Sequence, residues 1–327
     1  LGDVYKRQTK YHEETDDSTK EADIVSLRIV ELLSSNAFKF APTTLKSIHK
    51  ELFFGVLSQG IPLGEYRHYN ITKKEPILEG DSVIYDHYQT ISASLTYDFD
   101  QESQFDYRGK TPEEMVKHLK KFVSGIWQIH PFGEGNTRTV TVFMIKYLRS
   151  LGFEVDNSPF KENARYFRDA LVLDNAKLLK KNPEYLDRFF ENLLLGGQHE
   201  LSLKKMYLIQ QAEEMLKNSH LIAFVEDYKK RDNIKGAYRM RTTATFEGEE
   251  VKVILTLREG ENGVVYYDHK IEEIEESTTP PRKSLANPFC GDSAPTNTPA
   301  KTMPNTLANR QIDKLAVPTV YVEHLPE

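Results

Sequence analysis

The reading of the fold turns on residues 111–151, TPEEMVKHLKKFVSGIWQIHPFGEGNTRTVTVFMIKYLRSL. The stretch opens as a helix start. Thr111 sits at the N-cap position, Pro112 follows in the first turn, and Glu114 lies three residues after the threonine, the pattern of a reciprocal capping box. Met115, Val116, Leu119, Phe122, Val123, Ile126 and Trp127 then recur three or four residues apart, which lines one face of a buried amphipathic helix. A second stripe, Val140, Phe143, Met144, Tyr147, Leu148 and Leu151, begins near Thr137, and Gly152 suits its C-cap. Two core helices are therefore expected, joined by His130–Arg138.

Working outward, helical periodicity returns on both sides. Upstream it runs through Ile24, Val25, Leu27, Ile29, Leu32 and Leu33, then through Leu45, Ile48, Leu52, Phe53 and Val56, with Gly60 and the Ile61-Pro62 step as its stop. Downstream it runs through Tyr166, Phe167, Ala170 and Leu171, then through Leu186, Phe189, Phe190, Leu193 and Leu194, closed by Gly196-Gly197. Residues 64–88 differ. They hold β-branched residues and turn formers (Pro76, Glu79-Gly80-Asp81) ahead of Ser82-Val83-Ile84-Tyr85, and read as an extended hairpin or flap. The expectation is a mainly α domain over residues 21–200 with one β-hairpin flap.

Composition excludes several classes. The chain has 327 residues with a net charge of −6, which argues against a nucleic acid or an anionic membrane as the default partner. No apolar run approaches the roughly 20 residues that span a bilayer. The single cysteine, Cys290, excludes an internal disulfide framework and a multi-cysteine zinc site, and a cytoplasmic setting is expected. Residues 1–8 read as a fragment boundary or scar, and residues 9–20 as polar and frayed.

The segment between the two core helices, His130-Pro-Phe-Gly-Glu-Gly-Asn-Thr-Arg138, carries the chemistry. Gly135 and Asn136 tolerate positive φ, so the backbone can curl into a ring of N–H donors at a helix start that already favours an anion. Arg138 adds a fork of donors suited to phosphate oxygens. Glu134 offers a carboxylate for a Mg²⁺ that bridges phosphates. His130 is the group able to exchange a proton near neutral pH, so activity is expected to fall as pH drops through about 6.5. The competing reading is a plain helix connection with a buried structural histidine.

This segment closely resembles the signature of the Fic (Fido) family, H-x-F-x-[D/E]-G-N-G-R-x-x-R. His130, Phe132, Glu134, Gly135, Asn136 and Arg138 match; Thr137 stands in place of the second glycine and Thr141 in place of the final arginine. The resemblance, over about residues 21–197, implies a Fic-type helical bundle and a bacterial nucleotidyltransferase of the AMPylating kind. AMP, or another nucleoside monophosphate, would pass from ATP to a Ser, Thr or Tyr hydroxyl of a target protein. His130 would be general base and Glu134 the Mg²⁺ ligand. Gly135, Asn136, Thr137, Arg138, Thr141, Tyr166 and Asn175 would lie against the nucleotide, and the flap (Ile77, Gly80, Ser82, Val83) would dock the target by strand addition. The family's final arginine grips the γ-phosphate in many members, and an inhibitory glutamate acts by pairing with it. Ser158–Asn163 matches the letters of that inhibitory motif, yet reads better as a helix start with Ser158 as N-cap and Pro159 at N1. The implied setting is cytoplasmic, with secretion as an effector the alternative.

Residues 202–231 look helical and charged. Strands follow at Tyr238–Phe246, Val251–Leu257 and Val264–Tyr267, then a short acidic helix at Lys270–Glu276, together a small α+β module. The Val264–Glu275 stretch is faintly similar to accessory domains in large proteins of phages and conjugative elements, some of which resemble toxin ribonucleases. Arg239, Arg241, Thr256 and His269 could then form an acid/base set, against a docking-module reading. Residues 278–327 are Pro-, Thr- and Asn-rich, the composition of a disordered tail, with an apolar patch at Leu315–Val322 able to dock or add a strand. Two alternatives to transfer stand: a catalytically weak Fic-like protein that binds nucleotide or partner, and a C-terminal ribonuclease.

Overall fold

The structure is a computed structural model, and it describes residues 16–58, 60–177, 180–218, 238–259, 265–273 and 321–324. The chain divides into two compact units, Leu1–Leu203 and Lys204–Glu327.

The first unit is helical. Its elements are α1 (Asp16–Ser34), α2 (Pro42–Phe53), a 3₁₀ turn (Pro76–Leu78), α3 (Ile91–Ser103), α4 (Pro112–Ile129), α5 (Asn136–Ser150), α6 (Ser158–Glu162), α7 (Ala164–Asp174) and α8 (Glu184–Leu195). The capping box of α4 is present: Thr111 Oγ1 accepts from the Glu114 N–H at 3.2 Å, and the Glu114 carboxylate accepts from the Thr111 N–H at 2.9 Å. Helix α5 is the axis of the bundle, buried without a break from Thr139 through Leu148. α2 packs on α5, α8 on both α4 and α7, and α3 on α4. Phe40, Phe99, Phe122, Phe143 and Tyr147 interlock in this core, with Phe40 and Tyr147 centroids 4.7 Å apart. Such close-packed aromatic contacts explain why the two stripes of the opening stretch face each other.

Several boundaries move. α1 already begins at Asp16, inside the stretch expected to fray. α2 ends at Phe53 rather than near Gly60, and Val56 lies outside it. The N-cap of α6 is Asn157, with Ser158 the first helical residue. α3 has no counterpart in the periodicity reading; only Ile91, Leu95, Phe99 and Glu102 of its 13 residues are buried, so its apolar stripe is thin.

The flap is extended on both arms and has no regular ladder. Its arms meet through the Glu75 N–H on the Asp81 carbonyl at 2.9 Å and the Lys73 N–H on Ser82 Oγ at 3.3 Å. Glu79 and Gly80 turn the chain at φ 55° and 88°.

The second unit combines α9 (Leu203–Asn218) with an antiparallel sheet of β1 (Tyr238–Phe246), β2 (Glu249–Glu259), β3 (Val265–Glu273) and β4 (Tyr321–His324), in the order β3-β2-β1-β4. The expected acidic helix at 270–276 is absent through Glu273: β3 continues, with Ile271 opposite Val253 and Glu273 opposite Val251. Asp268, Lys270 and Glu272 alternate with His269 and Ile271, a period of two that pairing with β2 makes decisive. Residues 274–276 and Cys290 lie outside the described residues. β4 falls within the Pro-rich stretch and lies antiparallel beside β1, so the end of the apolar patch does add a strand. Register divides the suggested ribonuclease set. Arg239 lies opposite Thr256, while His269 lies opposite Leu255. The four residues therefore do not share one register position.

Candidate functional site

His130 ends α4 in the left-handed region, φ 52° and ψ 60°, which is uncommon for a non-glycine residue. A buried arginine holds it there. Arg67, 2% exposed, donates from Nε to the His130 carbonyl at 2.8 Å. Its terminal nitrogens reach the carbonyls of Tyr69, Asp86 and Ile129 at 2.7, 2.5 and 3.2 Å. The Arg67 N–H completes the clamp on the Pro131 carbonyl at 2.8 Å.

The His130 ring is buried between Tyr85, at 4.3 Å between centroids, and the edge of Trp127, at 5.4 Å. Its Nδ1 lies 3.2 Å from the Trp127 carbonyl. A carbonyl can only accept, so Nδ1 carries the hydrogen and Nε2 is left with its lone pair. Nε2 is buried and has no hydrogen-bond partner among the described residues. Burial, then the Lys73 ammonium, push the imidazole well below its ordinary value; the Trp127 carbonyl opposes this, and Arg67 and Arg168 add to it. His130 is therefore neutral at pH 7 with a free acceptor nitrogen, and its titration lies below the range near 6.5 expected from the sequence.

The loop that follows is fixed from three sides. Asn136 clasps Phe132: its Oδ1 accepts from the Phe132 N–H at 2.9 Å and its Nδ2 donates to the Phe132 carbonyl at 2.8 Å. Phe132 stacks on His49 at 4.0 Å. Because Nδ1 of His49 accepts from the Gly64 N–H at 3.0 Å, its Nε2 carries the hydrogen and donates to the Glu134 carbonyl at 3.2 Å. Burial lowers the pKa of His49 to about 4. Gly135 caps α5 at φ 74°, and a Cβ there would stand 2.4 Å from the Phe53 ring, so glycine is required by both conformation and space. Thr137 accepts the Trp127 indole N–H on its hydroxyl at 2.9 Å. The residue that departs from the signature thus ties the loop to the tryptophan that flanks His130.

These elements border a half-open cavity of about 140 Å³ lined by Lys73, Trp127, His130, Gly135, Asn136, Thr137, Arg138 and Arg168. Three side chains are cationic and none is a carboxylate. Arg138 lies over the Phe53 ring at 4.7 Å. Glu134 is exposed on the loop, and its charge partly offsets the fall that burial causes in the pKa of Arg138. Among the described residues no three His, Cys, Asp or Glu side chains gather as a metal site. One exposed carboxylate beside a cationic cavity fits a Mg²⁺ held mainly by phosphates and water, which takes only one or two protein carboxylates.

The structure brings His130, Gly135, Asn136, Thr137 and Arg138 together and leaves three expected residues out of the cavity wall. Thr141 is buried further along α5. The Tyr166 hydroxyl donates to the Tyr185 carbonyl at 3.3 Å. Asn175 caps α7 and donates to Ser124 Oγ at 2.8 Å. In the flap, Ile77 and Val83 are buried beneath it, whereas Ile84 is 67% exposed. Glu162, in the inhibitory-motif letters, is exposed on α6 and does not line the cavity. Arg67, His49, Lys73 and Arg168 escape sequence reading, because each reaches the site from an element distant in the chain.

Residues 39–148 match the family model described as Fic/DOC family, and residues 195–267 match Large polyvalent protein-associated domain 3. A curated relative, "Probable protein adenylyltransferase y4lH" of Sinorhizobium fredii (strain NBRC 101917 / NGR234), is 38% identical over 65 residues, 20% of this chain. The match spans about a third, 33%, of that protein's length. Among solved structures, BepC of Bartonella tribocorum with bound AMPPNP is similar at 18% identity and TM-score 0.44, covering 54% of this chain and 85% of that one. The N-terminal Fic domain of a VirB-translocated Bep effector of Bartonella quintana with bound ADP is similar at 20% identity and TM-score 0.43, covering 57% and 88%. Residues 39–148, which include the His130–Arg138 loop, are thus similar to the Fic/DOC family.

Proposed function

We propose that the helical unit transfers a nucleoside monophosphate, with AMP from ATP the first candidate, to a Ser, Thr or Tyr hydroxyl of a target protein. The observation that carries the reading is the buried, neutral His130, with an unpartnered Nε2, in the wall of a cavity lined by cations. The hydroxyl oxygen attacks the α-phosphorus, its proton passes to Nε2, and the bond to the bridging oxygen breaks to release pyrophosphate. Helix N-terminus donors at Gly135, Asn136 and Thr137, together with Arg138, stabilise charge on the phosphates. Glu134 would hold Mg²⁺, which supplies neutralisation of phosphate charge when bound.

The acceptor segment of the target would lie along the flap. Ile77 and Val83 shape that flap from below, and Gly80, Ser82 and the exposed Ile84 remain on its accessible side. Strand addition there suits an extended peptide, since main-chain hydrogen bonds supply affinity without demanding one target sequence.

The test is label transfer from α-labelled ATP with Mg²⁺ and lysate, run beside GTP, CTP and UTP, on wild type and His130→Ala. Labelled protein is expected with wild type and should vanish in the variant. Label that survives His130→Ala refutes the reading. Thr141, where the signature has arginine, favours a second reading, a nucleotide-binding protein of weak or no transferase activity. Nucleotide binding with no label from any triphosphate would support it.

A further inference from the structure

We infer that Lys73 and Arg168 form, together with Arg138, a cationic grip on the phosphates of the ligand. This rests on the nucleotide reading above only for the identity of the ligand; the grip itself is argued from the cavity.

Three elements each send one cation to the same small space: Lys73 from the flap, Arg168 from α7 and Arg138 from α5. Such convergence is costly unless an anion fills it, because like charges repel. Arg168 is braced from behind. It donates to the Asp169 carboxylate at 2.8 Å and to Glu75, which is fully buried and also accepts the Tyr85 hydroxyl at 3.1 Å. Two of its five N–H donors are thereby used, and the guanidinium is pre-oriented. Lys73 has no ion-pair or hydrogen-bond partner for its ammonium among the described residues. Its pKa is lowered by burial, against the pull of Glu75 and with Arg168 adding to the fall. Lys73 is half-buried, and an ammonium in a cavity wall without a counterion is suited to receive an anion.

The chemistry of the wall points the same way: three cations and helix-start N–H groups suit phosphoryl oxygens. His130, with its unpartnered Nε2, belongs to the same wall. Thr141 cannot contribute, because it is buried outside the wall. Since Lys73 belongs to the flap, an anion bound here also ties the flap to the bundle, so phosphate binding prepares the surface on which the target docks.

The experiment is titration calorimetry on the full chain with ATP and, separately, inorganic pyrophosphate, using wild type, Lys73→Met and Lys73→Arg, with melting temperatures as a folding check. Loss of one charge-assisted contact should weaken binding on the order of 10-fold or more in Lys73→Met, with Lys73→Arg near wild type. Equal affinities in all three proteins overturn the grip while leaving the nucleotide reading standing. Lys73-dependent binding of pyrophosphate without binding of ATP keeps the grip and removes the nucleotide. Failure of wild type to bind either probe overturns both. If Lys73→Met melts early, Lys73→Gln replaces it under the same criteria.

Discussion

Arg67→Met should be among the most damaging single changes available outside the reacting groups. Methionine roughly preserves the buried volume but removes every donor. Four side-chain hydrogen bonds are lost, from 2.5 to 3.2 Å, to the carbonyls of Tyr69, Asp86, Ile129 and His130. Each bond from a charged donor contributes about 1.5–3 kcal/mol, but four that share one guanidinium do not add. The four carbonyls are left near an apolar side chain, and a loss of about 4 kcal/mol is a fair figure for the set. For a unit of this size, about 2–4 °C of melting temperature accompanies each kcal/mol, so a drop of about 8–16 °C is expected by circular dichroism. Lysine cannot reproduce the fork, and Arg67→Lys should recover only part of the loss. The same change frees His130 from its left-handed conformation, so nucleotide transfer should fall even at temperatures where the variant is folded. A drop under about 3 °C, or full rescue by lysine, would refute the clamp.

Two further predictions concern the loop. Gly135→Ala combines a positive φ with a Cβ placed 2.4 Å from Phe53 and should cost about 2–4 kcal/mol in urea unfolding. Adding Phe53→Leu should return part of that loss; strict additivity of the two changes would count against the steric account. Acid should destabilise the helical unit through His49. Its pKa is about 4 when folded and near 6.5 when unfolded, so the unfolded state takes the proton first. Stability is then complete above about pH 6.5 and drains as pH falls toward 4, by about 3 kcal/mol from this group. A melting temperature that stays level from pH 7 to pH 4.5 would exclude a buried neutral His49.

The sequence alone determined the two core helices, because an apolar repeat at helical spacing and a capping box are local patterns that burial reinforces. It also determined the loop between them. His130, Gly135 and Asn136 act there through backbone conformation and short-range bonds, which nine consecutive residues can encode. Three other matters belonged to the tertiary structure. The protonation form of His130 depends on Arg67, Tyr85 and Lys73, which are contributed by the chain 45 to 63 residues earlier. The strand identity of residues 270–273 depends on pairing with β2, which overrides a locally ambiguous acidic run. The membership of the cavity wall depends on how α5 and α7 turn within the bundle: Arg168 is brought in, whereas Thr141, Tyr166 and Asn175 are directed elsewhere. Local patterns specify which residues can do phosphate chemistry, but the charge that surrounds a buried imidazole is a sum over groups distant in sequence, and only packing sets it.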